Sequence, residues 1–186
     1  MRGEYDGWRR AIGVLEAVSE WVGRAISWLT LLMVIVTFLV VLLRYAFDLG
    51  WIAMQESVTY MHATLFMLGA AYTLKRNGHV RVDILYQRLG RRAQAAIDLF
   101  GSLLLLLPVS LFIAWIGWEY VAESWAVHEG SREAGGIPGV YLLKTLMLLM
   151  PALLLVQGIA AILQSGLMLA GAEPVTDDSR EAAVND

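Results

Sequence analysis

Few side chains in this sequence have the types and spacing that chemistry requires. The chain of 186 residues contains three histidines and no cysteine, which excludes disulfides, thiolate metal sites and cysteine nucleophiles. His79 and Asp83 have the i, i+4 spacing that can place two metal ligands on one helical face, with Arg81 between them. One histidine and one carboxylate fall short of a metal site, which needs more ligands. We therefore predict that the protein holds no metal and no cofactor.

Motifs of catalysis and energy coupling are also missing from the sequence. No glycine-rich nucleotide-binding loop is present, so ATP is not the expected energy source. Neither a serine–histidine–acid set nor a pair of carboxylates can be recognised from spacing. His62, His79 and His128 fall in separate segments and cannot bracket a haem within one helical bundle. The protein is therefore predicted not to be an enzyme, and we expect no nucleic-acid partner.

The strongest signal in the chain is its hydrophobicity. It is 58% hydrophobic, with a mean hydropathy of +0.60, whereas a typical soluble domain is about 45–50% apolar. The apolar residues form blocks long enough to cross the hydrocarbon layer of a bilayer, which is about 30 Å thick. We predict an all-α integral membrane protein whose four-span membrane domain occupies residues 25–170. The predicted transmembrane helices are residues 25–43, 52–74, 97–120 and 140–169.

Polar residues within the predicted spans are candidates for function because the bilayer penalises them. His62 in span two and Gln157 in span four could each hydrogen-bond across helices, and His62 is also a functional candidate by its position. Glu56 begins span two, where a carboxylate complements the helix dipole. Pro108 and Pro151 predict kinks in spans three and four. The small residues that would let helices approach closely are Gly69, Gly166 and Ala170.

The segments before and after the membrane domain are charged. Two alternatives fit residues 1–24: an amphipathic helix in the membrane interface, or a solvated lead-in to span one. Residues 171–186 form an acidic tail that we expect to be disordered. The residues at helical spacing in the N-terminal segment are Trp8, Ile12, Leu15, Ser19 and Val22.

Residues 75–92, which we call the basic loop, separate spans two and three and contain six of the fourteen lysines and arginines. Gly78 can supply a turn, and Asp83 can cap a following helix. A short amphipathic helix on the membrane surface is predicted here. Its apolar residues at i, i+3, i+4 and i+7 are Val82, Leu85, Tyr86 and Leu89.

The distribution of positive charge predicts the orientation of the chain. With four spans, the termini and the basic loop lie on one side and carry eleven of the fourteen lysines and arginines, leaving three on the other side. Loops rich in lysine and arginine stay in the cytoplasm. Both termini and the basic loop are therefore predicted to be cytoplasmic, and the acidic loop at 119–139 then faces outward.

Several of these residues together resemble a known family. Glu56 near the start of span two, Arg76 after its end, and the string from Gly78 to Asp83 are similar to the DctQ-type small membrane subunit of tripartite ATP-independent periplasmic (TRAP) transporters. The resemblance covers nearly the whole chain, with the string placed between spans two and three. The residues that match the family motif are Glu56, Arg76, Gly78, His79, Arg81 and Asp83.

The resemblance implies a multi-pass protein of the bacterial inner membrane that braces a large TRAP permease subunit as a static scaffold. A periplasmic substrate-binding protein would deliver the solute, commonly an organic acid, and a sodium or proton gradient would drive uptake. The large permease subunit, the binding protein and membrane lipids are the implied partners, and the motif residues have structural and assembly roles. The small number of polar groups in the spans agrees with this, since a transport path usually needs more.

Two other functions remain open on the sequence alone. A haem- or quinone-binding membrane anchor of a redox complex would be supported by His62 and by the aromatic residues at the span ends. A small proton-coupled transporter acting alone is the third hypothesis. The substrate is not expected to be encoded in this chain, because selectivity would reside in the other subunits.

Overall fold

The computed structural model describes residues 6–76, 78, 86 and 88–171, and this part of the chain is helical with no strand. Three continuous helical stretches in it are long and apolar enough to cross a membrane: Asp6–Phe47, Arg91–Ala126 and Val140–Leu169. The elements in chain order are α1 (Asp6–Phe47), α2 (Ile52–Lys75), α3 (Arg91–Gly101), a π-helical turn (Ser102–Leu106), α4 (Leu107–Ala126) and α5 (Val140–Leu169).

The first helix joins the predicted N-terminal segment and span one without a break. We expected a boundary near residue 24, but α1 is continuous over 42 residues, which is about 63 Å. Its first half is not a separate helix, and one side of it is buried against the rest of the protein. The buried residues follow each other at alternating steps of four and three: Ile12, Glu16, Ser19, Gly23 and Ile26.

The second helix is the most polar of the long helices. At 24 residues, about 36 Å, α2 is long enough to cross a bilayer, but its composition keeps it out of the group of three apolar stretches. It runs back along α1, since Lys75 at its end lies beside Glu20 while its start follows the end of α1 after four residues. The three apolar stretches contain predicted spans one, three and four.

The second apolar stretch, which contains predicted span three, begins at Arg91, six residues before that span at residue 97, and it contains the π-helical turn. This turn lies immediately before Pro108, which occupies one of the first positions of α4. Proline has no N–H to donate, so it interrupts the regular i to i−4 bonding, and a π turn is one way in which a helix accommodates such an interruption. In contrast, α5 continues through the fully buried Pro151.

The last helix is the centre of the assembly. α5 packs against α1, α2, α3 and α4, and α1 also packs against α2. Small side chains occupy many of the most buried positions, which lets the helices approach closely. Large apolar side chains are mostly exposed on the outside, as expected of surfaces that face lipid or another protein. The least exposed residues include Ile12, Ser19, Ala71, Ser110, Pro151 and Ala160.

Candidate functional site

A cluster of four charged residues joins α1 and α2 where the basic loop begins, and we call it the basic-end cluster. The carboxylate of Glu20 on α1 accepts hydrogen bonds from Lys75 Nζ and Arg76 Nη2 at 2.8 Å each, and from Arg24 Nε at 3.0 Å. The side chains of Lys75 and Glu20 are only 9% and 16% exposed, so this pair is shielded from solvent more than a surface ion pair. The hydrogen bond to Glu20 raises the pKa of Arg76.

Arg76, one of the residues that match the family motif, is also held by an aromatic ring. Its guanidinium carbon lies 5.5 Å from the ring centroid of Tyr72, within cation–π range. The same ring packs directly on the backbone of Gly23 in α1, where a Cβ would lie 2.4 Å from ring atoms. The sequence predicted Val22 on the buried side of this helix, and helical spacing alone gave no signal for Gly23.

Gly78 lies just beyond α2, and its backbone folds back on the end of the helix. Its N–H donates to the carbonyl of Thr73 at 2.9 Å, and a Cβ at this position would lie 3.1 Å from the Thr73 methyl carbon. Gly78 is not among the glycines with a left-handed backbone, so the constraint on it is close contact. His79, Arg81 and Asp83, which complete the motif, lie outside the described residues.

Inside the protein, Gln157 forms a hydrogen bond between helices. Its amide oxygen on α5 accepts from the hydroxyl of Ser19 on α1 at 2.8 Å, and both residues are buried. A polar cavity of about 220 Å³ adjoins this pair. At its edge the Tyr86 hydroxyl donates to Asp98 at 2.6 Å, and Gln94 donates to the Tyr86 carbonyl at 3.0 Å. These contacts fasten one residue of the basic loop to α3.

His62 lies at the edge of the groove between α1 and α2. The residue is exposed, and its described contact is with the ring of Phe66, whose centroid lies 6.4 Å away. Among the residues that the structure describes, no side chain or backbone group hydrogen-bonds its imidazole. The hydrogen bond across helices that the sequence allowed is therefore not formed within this part of the chain.

The three small residues proposed for close packing lie in different surroundings. Gly69 lines a groove between α1 and α2, where a Cβ would meet only the Cδ1 atom of Ile26, at 3.6 Å. A Cβ at Gly166 would meet nothing within 4 Å, and Ala170 is exposed at the end of α5. None of the three is enclosed by the described helices, so all three remain available to other molecules.

At the opposite end of the helices, Glu56 fixes the loop between α4 and α5, and we call this contact the acidic-end clamp. Its carboxylate accepts a hydrogen bond from the Ser131 hydroxyl and another, at 2.6 Å, from the N–H of Ile137. Gly136 permits this approach, since a Cβ there would lie 2.8 Å from a Glu56 oxygen. The sequence predicted a helix-dipole role for Glu56 and a place in the family motif, but not these partners, which are 75 and 81 residues away.

A second ion pair anchors the same loop. Glu129 accepts hydrogen bonds from Lys144 on α5 and from the Ser124 hydroxyl at 2.7 Å. These donors lower the pKa of Glu129 below its ordinary value. The Lys144 ammonium also lies 3.8 Å from the ring centroid of Tyr120. The loop before α5 is therefore tied to three helices, namely α2, α4 and α5.

These polar groups form fixed structural ties. Each pairs a carboxylate or amide with donors from a different element: the basic-end cluster and the acidic-end clamp lie at opposite ends, and the Gln157 pair lies inside the protein. In the described part of the chain, no group of three or more histidine, cysteine, aspartate or glutamate side chains could hold a metal ion.

The model of one protein family, described as the DctQ component of tripartite ATP-independent periplasmic transporters, matches residues 33–166. The chain belongs to the DctQ family.

A relative supports this DctQ assignment. A Haemophilus influenzae protein that carries the name TRAP transporter small permease is 28% identical over 123 residues, which cover 63% of this chain and 76% of that protein. No solved structure matches the chain. The family and the apolar helices together show a multi-pass membrane protein that is a transport component. The DctQ match includes Glu56, Arg76 and the whole acidic-end clamp, whereas Glu20 and Gly23 precede it.

Proposed function

We propose that this DctQ-family protein is a static scaffold for the large permease subunit of a TRAP transporter. The transporter takes up an organic acid that a periplasmic binding protein delivers, and a sodium or proton gradient drives the uptake. The supporting observation is that Glu56 and Arg76, two of the motif residues, are both engaged in ties within the chain. Groups held in this way brace helices and are not free to bind and release a solute.

The proposal includes four transmembrane helices with both termini in the cytoplasm of a bacterial inner membrane. The antiparallel packing of α2 on α1 and its length of about 36 Å support its assignment as a span. Lysine and arginine dominate the end where the basic-end cluster lies, so that end is assigned to the cytoplasm. The acidic-end clamp then faces the periplasm, on the side from which a binding protein delivers its solute.

Single cysteines test this orientation, since the chain has none of its own. Gly50 and Gly90 suit the purpose because a Cβ at either would meet nothing within 4 Å. In cells with a permeabilised outer membrane, an impermeant maleimide should label Gly50→Cys and should leave Gly90→Cys unlabelled. Detergent should then expose Gly90→Cys, which controls for reactivity. The reverse labelling pattern would overturn the orientation.

Reconstitution tests the function itself. The chain, the large permease subunit and the binding protein are placed in liposomes, and uptake of radiolabelled organic acids is measured under a sodium or a proton gradient. We expect uptake with all three proteins and none when this chain is omitted. Uptake by this chain alone would contradict the scaffold role, as would full uptake in its absence.

A further inference from the structure

The outward face of α2 is polar, whereas the exposed surface of the π-helical turn and α4 is apolar. The exposed residues within α2 are Gln55, Thr59, His62 and Phe66, three of them polar. Between residues 103 and 118, across the π-helical turn and α4, every exposed residue is apolar. A surface in contact with lipid tails is expected to be apolar, like the exposed surface between residues 103 and 118. This difference favours protein over lipid tails as the cover of the α2 face.

The spacing on this face is that of helix packing. From Gln55 to Phe66 the exposed residues follow at steps of four, three and four, and Gly69 and Thr73 continue the pattern with three and four. Alternating steps of four and three place side chains along one seam between two helices. The buried residues of α1 have the same spacing, so this protein already packs helices in that way. We call the six residues from Gln55 to Thr73 the α2 seam.

One end of the α2 seam widens into a groove. Gly69 and Thr73 line a cavity of about 530 Å³ between α1 and α2, together with Gly23 and Thr30 of α1. The absence of a side chain at Gly69 leaves room there, since a Cβ would meet only one atom within 4 Å. Small residues at such positions let a further transmembrane helix approach closely.

The contacts between α1 and α2 give the depth of His62 in the membrane. Three pairs of residues face each other across the two helices. Each residue further along α1 therefore lies opposite one residue earlier in α2. The pairs are Glu20 with Lys75, Gly23 with Tyr72 and Ile26 with Gly69. Continuing this register places His62 opposite residue 33, near the middle of the charge-free run 25–43.

At that depth, an imidazole without a hydrogen-bond partner is costly. An acyl chain cannot supply such a partner, whereas a helix that carries a polar side chain can. The depth of His62 therefore favours a transmembrane helix as the covering molecule.

We propose that the α2 seam receives a transmembrane helix of the large permease subunit, and that this helix brings a hydrogen-bonding side chain to His62. The inference rests on the proposed function, because it requires that subunit to be the partner. It adds the face of the small subunit that forms the contact, and the kind of residue that the partner must place in the middle of the membrane.

Photo-crosslinking tests the seam. Phe66→p-benzoylphenylalanine places the reactive group on the seam, and Phe112→p-benzoylphenylalanine on α4 is the matched control, since the two phenylalanines are 74% and 56% exposed. Each variant is co-expressed with the large subunit and irradiated in membranes. We expect a product with the combined mass of both subunits from position 66 and little from position 112. A product of two copies of this chain, or no protein product, at position 66 would overturn the proposal.

Co-purification separates this proposal from the one on which it rests. If the wild-type chain does not co-purify with the large subunit, both proposals fail. If it does, and only position 112 cross-links, the scaffold stands and the α2 seam is wrong.

The hydrogen bond to His62 is tested by two variants. His62→Leu should weaken co-purification about three- to tenfold, while His62→Gln, which retains hydrogen-bonding groups, should keep most of it. Because His62 is exposed, the isolated variants should melt like the wild type. Equal co-purification of both variants and the wild type would rule out the hydrogen bond.

Discussion

Replacing Gly23 by alanine is expected to force α1 and α2 apart. The new Cβ would lie 2.4 Å from the Cγ and Cδ2 atoms of Tyr72 and 2.9 Å from its Cβ, whereas carbon atoms ordinarily pack about 3.5–4.0 Å apart. Because the Tyr72 Cβ is fixed to the backbone, ring rotation alone cannot relieve the clash. Overpacking of this kind costs about 1–3 kcal/mol, which corresponds to a fall in Tm of about 2–12 °C for a chain of this size.

Thermal unfolding of the purified protein in detergent measures this effect, with Gly69→Ala as the matched control. Gly69 lies in the same helix pair, and its Cβ would meet only Ile26, at 3.6 Å. Alanine is favoured over glycine in a helix interior by about 0.5–1 kcal/mol, so the control should melt at or above the wild-type Tm. In a Tyr72→Ala background, adding Gly23→Ala should cost less, because the two contacts at 2.4 Å are removed and only the contact with Cβ at 2.9 Å remains. Equal melting of Gly23→Ala and Gly69→Ala would refute the close contact.

Two further predictions concern the loop between α4 and α5. Glu56→Gln removes one hydrogen-bond acceptor from the acidic-end clamp, so the loop should open more often. Trypsin should then cleave after the exposed Arg132 at least about tenfold faster than in the wild type. Glu119→Gln, at an exposed position, is the control and should be cleaved at the wild-type rate. Equal cleavage rates would mean that the clamp does not hold the loop. Because hydrogen bonds lower the pKa of Glu129 below 4.5, its contribution to stability is present above that pH and is lost as the pH falls through the lowered pKa. The difference in Tm between wild type and Glu129→Gln should therefore be constant at neutral pH and shrink in acid. A difference that persists unchanged down to about pH 1 would contradict this.

The features that sequence predicted well are local ones. Runs of apolar residues determine where a helix can cross a bilayer, so predicted spans one, three and four fall inside the three apolar stretches. The irregularity near Pro108 is local too, because it depends on one missing N–H. Span two is harder to recognise by hydropathy, since its exposed residues include the polar Gln55, Thr59 and His62.

Features that depend on distant contacts were beyond reach of the sequence. The stripe predicted in the N-terminal segment contained Leu15 and Val22, but the structure buries Glu16 and Gly23 in their place. Helical spacing alone cannot choose between these sets, because the choice depends on which neighbour the helix meets. Glu56 is a similar case: its partners belong to a loop that only the folded chain brings near.

The unbroken length of α1 has a consequence for how the protein responds to bilayer thickness. A transmembrane helix normally adjusts to a thinner membrane by tilting. The buried residues of α1 run from Ile12 to Ile26, across the boundary predicted between its two halves. Tilting the membrane part would lift the other half from its packing partners and break the bond between Ser19 and Gln157. Within these contacts, α1 can therefore adjust to a thinner bilayer only by tilting together with the helices packed against it.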